Sequence, residues 1–270
     1  MRTLPFSTSP NPLLLYLTPS LEATLEKVHF VVDSRQGLTA ILGDVGTGKS
    51  TVMRYLFNEY DARADAKATM IANPNFPSAF AFLKKICADF DLAPRRSMVD
   101  QENELRGYLL EQYAQDKVCV VFVDEAQGLP GRQLELVRTL LNFETDDTKL
   151  IQVVLSGQIE LEIKLKDKSK KAIRSRIFAP SRLASLTLNE TGEMIAFRCQ
   201  KAGIPNPFNN DALQRLYTLT EGVPRDVLKA AAVAYHFMQK DGATEITPEL
   251  VEEAYAEAIL EEDKHESAVA

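Results

Sequence analysis

The chain has few of the residues that build metal clusters and disulfide frameworks. Its 270 residues include three cysteines and three histidines. Cys87, Cys119 and Cys199 show no ligand spacing and stand in apolar-periodic context, which is typical of reduced core thiols in a cytosolic protein. The histidines form no cluster, and we expect His29 and His236 to be packing residues. The composition therefore gives no indication of a metal cluster or a disulfide scaffold.

Long apolar runs and an excess of positive charge are also missing. No apolar stretch approaches the roughly 20 residues that span a bilayer, and the first residues lack the basic start and apolar core of a signal peptide. The net charge is −7, so bulk charge gives no sign of nucleic-acid binding. We expect a cytoplasmic chain without direct membrane insertion. Its composition, 45% hydrophobic and 26% charged, is that of an ordinary globular protein.

One segment fits the phosphate-binding pattern G-x-x-x-x-G-K-[ST], with the sequence GDVGTGKS from Gly43 to Ser50. An apolar run at 38–42 precedes it and a helical pattern follows it, which is the strand–loop–helix context that the motif requires. Its glycines allow backbone N–H groups to point at phosphate, and the helix adds its dipole. We expect Lys49 to reach the β- and γ-phosphates of ATP and Ser50 to hold Mg²⁺. The predicted ATP-binding residues of this loop are Gly43, Asp44, Val45, Gly46, Thr47, Gly48, Lys49, Ser50 and Thr51.

A second motif predicts that the bound nucleotide is hydrolysed. The continuous apolar run 118–123 is typical of a central parallel strand and ends in Asp124 and Glu125. Asp124 is placed to hold Mg²⁺ through water, and Glu125 could polarise a water for attack on the γ-phosphate. A strand that runs into a solvated turn would give the same local pattern, but the preceding phosphate loop favours the catalytic interpretation. A further strand at 68–72, between the two motifs, is typical of ATPases that use an added catalytic glutamate.

Strand and helix patterns alternate along most of the chain and then give way to helices alone. After an irregular segment 1–17, a helix is predicted from Pro19 through Arg35. The predicted strands are 38–42, 68–72, 118–123, 149–155 and a short one near 184–188, and the predicted helices between them are 49–60, 77–90, 100–115, 130–143 and 158–168. Beyond Asn189 helices are predicted at 190–202, 209–219, 224–239 and 248–261, with starts marked by Asn209, Pro224 and Thr247.

This alternation predicts the α/β class, a P-loop parallel sheet flanked by helices and followed by a small all-helical lid domain. We expect an ATPase core with its N-terminal segment at 1–188, the helical lid at 189–262 and an acidic tail at 263–270.

The ordered motifs resemble those of AAA+ ATPases of the ExeA/GspA type, related to the TniB, TnsC and Mu B transposition ATPases. The resemblance covers nearly the whole chain. It is carried by an N-terminal segment from Pro5 to Ser20, the GDVGTGKS loop, the VDEAQ stretch at 123–127, the segments 140–146 and 149–158, and the GVPR stretch at 222–225.

The resemblance implies roles for four polar residues outside the two motifs. Gln158 stands at the sensor-1 position, where a polar side chain can touch the γ-phosphate or the attacking water, although it could instead cap the next helix. Arg225 matches the sensor-2 arginine of the lid, although it could be a first-turn surface residue. Arg174 and Arg176 lie where the family presents an arginine finger to a neighbouring subunit, a job that suits a permanently charged fork.

The resemblance leaves the place of the N-terminal aromatic residues open. Phe6 and Tyr16 could line the adenine pocket or pack into the core.

The sequence as a whole predicts a homo-oligomer, a ring or a filament, that binds ATP and Mg²⁺ between subunits. Seven basic residues fall within the thirteen positions Lys164–Arg176, which could contact duplex DNA or form a solvated helix face. Because ExeA-type secretion proteins continue into a membrane helix that this sequence lacks, we expect a DNA-associated regulator that recruits a transposase. An ATPase that serves a secretion partner protein and a nucleotide-gated interaction protein, for instance in phage defence, are the alternatives.

Overall fold

The computed structural model describes residues 4–259, and these divide into two compact units. The sheet unit comprises Pro19–Val45 and Lys49–Leu183. The helical unit comprises Gly46–Gly48 and the described residues of Met1–Thr18 and Ala184–Ala270. The functional boundaries 1–188 and 189–262 stay predictions, and the predicted acidic tail 263–270 lies outside the described residues.

The sheet unit is built on five parallel strands in the order β2-β3-β4-β1-β5. Their bounds are β1 Leu38–Gly43, β2 Ala66–Ile71, β3 Val118–Val123, β4 Ile151–Gly157 and β5 Ser181–Leu183. Every residue of β3 and β4 is buried, because strands in the middle of a parallel sheet are covered on both faces. The strand that lies between the two motifs in sequence, β2, pairs with the outer side of β3.

Seven helices belong to the sheet unit. They are α1 Pro19–Asp33, α2 Lys49–Asp61, α3 Ala79–Asp89, α4 Met98–Ala114, α5 Gly131–Leu140, α6 Ile159–Lys166 and the single turn α7 Lys171–Arg174. Serines at 78 and 97 cap α3 and α4 by accepting the N–H groups of Ala81 and Asp100. Apolar residues of α3–α7 and of strands β1–β4 form one hydrophobic core in this unit.

The helical unit contains the four helices predicted for the end of the chain. Their bounds are α8 Leu188–Ala202, α9 Asn210–Thr220, α10 Pro224–Lys240 and α11 Pro248–Ala258. The predicted starts are confirmed, because Asn209 caps α9, Pro224 is the first residue of α10 and Thr247 caps α11. Proline suits a first turn because its missing N–H has no partner there in any case.

The segment that precedes α1 packs into the helical unit. Phe6 is 2% exposed, and its ring lies edge-on to Phe208 and Tyr235 at centroid distances of 5.9 and 5.8 Å. A guanidinium N–H of Arg198 donates to the carbonyl of Ser7 at 3.0 Å. Of the two places open to Phe6, the structure gives it the one in the core.

The strand predicted at 184–188 is wrong, and β5 ends at Leu183. The Thr187 hydroxyl accepts the N–H of Glu190, whose carboxylate accepts the N–H of Thr187 in return. This capping box starts α8 at Leu188. The Leu186 N–H donates to the Gly222 carbonyl at 2.9 Å. The alternating pattern over these residues therefore belongs to a helix start and not to a strand.

Candidate functional site

Three neighbouring strands end where the sequence places its polar motifs. In the order β3-β4-β1, all strands are parallel, so their carboxyl ends meet at one edge of the sheet. The phosphate-loop pattern follows β1, Asp124 and Glu125 follow β3, and Gln158 follows β4. We call these strand ends the sheet edge. It is where open α/β sheets bind ligands.

The phosphate loop ends at Lys49, the first residue of α2. The Lys49 side chain is turned inward, since the residue is 5% exposed. Its ammonium donates to the carbonyls of Gly43 at 2.8 Å and Asp44 at 2.7 Å. Phosphate oxygens of a nucleotide bound at this loop would replace these two carbonyls as partners of the ammonium.

The backbone of this loop needs glycine at two positions. Gly46 and Gly48 have φ of 84° and 93°, in the left-handed region. A Cβ on Gly46 would lie 2.7 Å from a methyl of Val223, whereas one on Gly48 would have no atom of the described residues within 4 Å. The chain therefore turns tightly at Gly46 and leaves open space beside Gly48, as a phosphate cradle requires.

Arg225 contacts Gly46 through its backbone. Its N–H donates to the Gly46 carbonyl at 3.1 Å, and its Cβ stands 3.1 Å from the Cβ position of Gly46. The sensor-2 role of its guanidinium stays a prediction.

Asp124 and Glu125 continue β3 in different ways. Asp124 is 3% exposed, and one of its carboxylate oxygens accepts the Glu125 N–H at 3.0 Å. Glu125 has φ 51° and ψ 37°, a left-handed conformation that costs a non-glycine residue roughly 1–3 kcal/mol. The chain turns away from the strand at this residue. Backbone strain of this kind is enriched at functional sites.

The carboxylate of Glu125 is held by two amides. The side-chain N–H₂ groups of Gln158, at 3.2 Å, and of Gln127 both donate to its Oε2. Gln158 precedes α6, but its side chain makes no capping hydrogen bond. The structure thus favours the contact with Glu125 over the capping alternative. Gln127 was given no role by the sequence, where only its place two residues after Glu125 could have indicated one.

Ser50 and Asp124 stay the predicted oxygen ligands of Mg²⁺. Serine hydroxyl and carboxylate oxygens are ligands that Mg²⁺ prefers, and the two residues follow strands β1 and β3 at the same sheet edge. The donor set fits the ion. Among residues 4–259 no group of three or more histidine, cysteine, aspartate or glutamate side chains could hold a metal ion.

The two candidate finger arginines donate to carbonyls of their own chain. Arg174 reaches the Lys166 carbonyl at 2.8 Å, and Arg176 reaches the Arg138 carbonyl at 2.7 Å. Arg174 is exposed and Arg176 is half-buried. Which of them faces a neighbouring subunit stays a prediction.

The rest of the basic segment, Lys164–Arg176, is only partly available to a ligand. The Lys164 ammonium donates to the carbonyls of Gln127 and Leu129 at 2.5 and 2.9 Å, and burial, with a smaller effect from Lys170, lowers the pKa of Lys164. Lys166 pairs with Glu162 at 2.7 Å. The basic side chains left at the surface are Lys168, Lys171 and, half-buried, Lys170.

The three thiols are buried. Burial raises the pKa of Cys119 to about 12 and those of Cys87 and Cys199 to about 11. Such thiols are protonated and unreactive at neutral pH.

Across residues 4–259 no helix is long and apolar enough to cross a bilayer.

Known proteins resemble this chain in sequence and in fold. A family model described as an AAA domain matches residues 32–165. General secretion pathway protein A of Aeromonas hydrophila is 37% identical over 227 residues, a match that covers 82% of this chain and 40% of that protein. The chain therefore spans less than half the length of this curated relative.

Solved structures share the fold at low identity. Cdc6p from Pyrobaculum aerophilum has a TM-score of 0.70 at 20% identity, over 95% of this chain and 71% of that one. The RuvB Holliday junction branch migration motor of Thermotoga maritima has a TM-score of 0.57 at 16% identity, over 86% of this chain and 67% of that one. At these identities the likeness concerns the fold alone.

Proposed function

We propose that the protein binds ATP with Mg²⁺ and hydrolyses it to ADP and phosphate, because a family model described as an AAA domain matches residues 32–165 and the chain has the P-loop AAA+ fold. The predicted fold class is thereby confirmed. The observation that carries the proposal is the sheet edge, where a buried lysine of the phosphate loop and an amide-held glutamate follow strands of one parallel sheet.

The loop residues bind the nucleotide in this proposal. Lys49 exchanges its carbonyl partners for oxygens of the β- and γ-phosphates, and the N–H groups of the loop and of the first turn of α2 surround them. Ser50 and, through water, Asp124 would hold Mg²⁺, which would neutralise charge on the phosphate oxygens. Arg225 adds a positive charge beside Gly46.

The residues after β3 and β4 carry out the chemistry. The Glu125 carboxylate accepts a proton from a water molecule as the oxygen of that water attacks the γ-phosphorus, and the bond to the β–γ bridging oxygen breaks. Gln158 keeps the carboxylate in one orientation. A neighbouring subunit's Arg174 or Arg176 would stabilise charge on the transferred phosphoryl group.

Removing the loop cation tests the binding half of this proposal. Lys49→Ala deletes the charge that faces the phosphates, so we expect loss of tight ATP binding. Equilibrium titration with a fluorescent ATP analogue measures it. Wild-type affinity in this variant would show that the loop is not the ATP site.

Removing the base tests the chemical half. Glu125→Gln keeps the shape of the side chain and loses the proton acceptor, so ATP should still bind while hydrolysis slows by about 10²–10⁴-fold. Steady-state phosphate release reports the rate. Turnover near the wild-type value would exclude Glu125 as the base.

The downstream role is favoured most by the secretion relative. Identity of 37% across 82% of the chain supports an ATPase that serves secretion or envelope assembly with a separate membrane partner, as a homo-oligomer in the cytoplasm. Deleting the gene and measuring protein in the culture medium tests this role. Unchanged secretion would contradict it.

A DNA-associated role is the second candidate, and one surface favours it. Lys168, Lys170 and Lys171 stand close together at or near the surface of an otherwise acidic protein, where they could contact duplex DNA while the oligomer recruits a transposase. A transposition assay in the deletion strain, beside the secretion assay, separates the two roles.

A further inference from the structure

The short 3₁₀ turn Ala126–Gly128, directly after Glu125, is tied to the site at three points. The side-chain N–H₂ of Gln127 donates to the Glu125 carboxylate. The side-chain oxygen of the same amide accepts the backbone N–H of Gln158 at 3.3 Å. The Gln127 carbonyl accepts the Lys164 ammonium at 2.5 Å. One glutamine therefore links the end of β3 to the end of β4 and to α6.

The sequence leaves room for this arrangement at Gly157. A Cβ on Gly157 would lie 3.0 Å from the Gln127 side-chain oxygen and 2.5 Å from a methyl of Leu161. The contact with Leu161 is shorter than real Cβ atoms show, so a neighbour would have to shift, and the contact with Gln127 would be tight. The last residue of β4 is thus a glycine at the place where the amide and α6 approach the strand.

Lys164 fixes the backbone on which Gln127 stands. Its ammonium bridges the carbonyls of Gln127 and Leu129, which lie on either side of Gly128. Backbone hydrogen bonds from Gly128 to Glu125 and from Leu129 to Ala126, at 2.9 and 3.1 Å, complete the turn. The backbone that carries the Gln127 side chain is therefore held from α6.

We propose that Gln127 is a positioning residue that aims the Glu125 carboxylate, and that Lys164 holds Gln127 in place through its backbone carbonyl. The inference rests on the proposed ATPase function. An amide suits the position because it donates to a carboxylate and accepts a backbone N–H at the same time. Glutamate would keep the acceptor and lose the donor, and methionine would keep the length and lose both.

The central variants are Gln127→Met and the pair Lys164→Met and Lys164→Arg. A base that is misplaced by a fraction of an ångström loses much of its effectiveness, so Gln127→Met should lower kcat about 10–100-fold while KM and the affinity for a fluorescent ATP analogue stay within about twofold. Lys164→Met should act in the same direction. Lys164→Arg can still donate to both carbonyls, so it should restore most of the kcat that Lys164→Met loses.

Gln133→Met is the matched control. Gln133 is a buried glutamine, more enclosed than the half-buried Gln127, and its amide donates to the Phe76 carbonyl at 2.7 Å and not to Glu125. A purely structural cost of deleting a buried amide should appear in its thermal unfolding and leave kcat unchanged. Equal loss of kcat in Gln133→Met and Gln127→Met would contradict a positioning role.

Adding Gln127→Met to Glu125→Gln separates this inference from the proposed function. If Gln127 acts through Glu125, the double variant should hydrolyse ATP at the rate of Glu125→Gln alone, because residues that act as one unit are not additive. Fast turnover by Glu125→Gln would overturn the proposed function. Slow turnover by Glu125→Gln together with wild-type kcat in Gln127→Met, or a full further loss in the double variant, would overturn the positioning role alone.

Hydrogen exchange of the nucleotide-free protein gives a readout that needs no turnover. The amides of Gly128 and Leu129 should exchange faster in Lys164→Met than in the wild type and keep their protection in Lys164→Arg and Gln133→Met. If Gln127→Met fails to fold, the Lys164 pair decides the question by the same two measurements. Unchanged exchange and unchanged kcat in Lys164→Met would overturn the inference.

Discussion

The sheet edge and the basic segment Lys164–Arg176 both present charged and polar side chains, but they are organised in opposite ways. At the sheet edge the polar residues stand at the ends of three buried strands, and their neighbours follow from strand order. In the basic segment the charges follow one another in sequence, and their side chains diverge. Lys164 and Arg176 reach backbone carbonyls, whereas Lys168 and Lys171 stay at the surface.

This difference shows which sequence patterns predict the position of a side chain in the folded protein. A motif that ends a buried strand specifies backbone geometry, and the parallel sheet then brings such ends together. A run of basic residues specifies only composition. Whether each ammonium or guanidinium meets solvent depends on which backbone carbonyls from distant parts of the chain lie within its reach. The carbonyls of Gln127, Leu129 and Arg138 accept such hydrogen bonds.

We expect the largest effect from the candidate finger arginines, and it would show that the basic segment and the sheet edge work as one site. If the basic segment serves a neighbouring sheet edge, Arg174→Ala or Arg176→Ala should slow hydrolysis by about 10³–10⁵-fold and leave ATP binding to the monomer intact. Steady-state turnover across a dilution series measures it, because a shared site also makes specific activity depend on protein concentration.

Mixing experiments provide the control for that prediction. Either arginine variant should regain activity when combined with Lys49→Ala protein, since each supplies what the other lacks. Specific activity that is flat on dilution, with neither arginine required, would contradict a shared site.

A glycine substitution tests how tightly the sheet edge is specified. Gly157→Ala forces a methyl against Leu161, so the free energy of unfolding should fall by about 1–3 kcal/mol. Gly107→Ala, inside α4 with no described atom within 4 Å of the new methyl, should instead raise it by about 0.5–1 kcal/mol. Urea unfolding compares the two. Equal effects at both positions would show that the end of β4 is no more constrained than a helix surface.

We expect the smallest effect in DNA binding, which would give the basic segment a function separate from that of the sheet edge. Each phosphate contact contributes about −0.9 to the slope of log affinity against log salt, so replacing Lys168, Lys170 and Lys171 with Ala should flatten the slope by up to about 2.7. Lys166→Ala, which removes a lysine already paired with Glu162, should change it little. Anisotropy titrations with duplex DNA and a slowly hydrolysed ATP analogue measure both.

The absence of any binding at low salt with nucleotide present would count against the DNA role. The secretion role would then be the remaining candidate.

Much of the fold could be predicted, because buried strands and helix starts leave local signals. The run 118–123 became β3 with its bounds unchanged, and Pro224 opened α10. The short edge strand β5 could not be placed from the sequence, because only three of its residues pair with β1. Its apparent pattern at 184–188 belonged to the capping box of Thr187. Short edge strands have too little burial of their own to set a period.

In the candidate site, too, residues in motifs at strand ends could be predicted, and a residue held by a long-range contact could not. The places of Lys49, Asp124, Glu125 and Gln158 followed from motifs at strand ends, although their roles stay predictions. Gln127 could not be recognised, since its partner Lys164 lies 37 residues further along the chain. A hydrogen bond between a distant side chain and a carbonyl leaves no period or spacing in the sequence.

The packing of residues 4–16 bears on the order in which a nascent chain can fold. The contact of Ser7 with Arg198 closes a loop of 191 residues, and that of Tyr16 with Glu193 closes one of 177. Synthesis proceeds from the N-terminus, so the first segment leaves the ribosome long before α8 exists to receive it. Apart from three loop residues, the sheet unit is complete within Pro19–Leu183 and can fold during this interval. Phe6 can take its place against Phe208 and Tyr235 only after both residues have been synthesised.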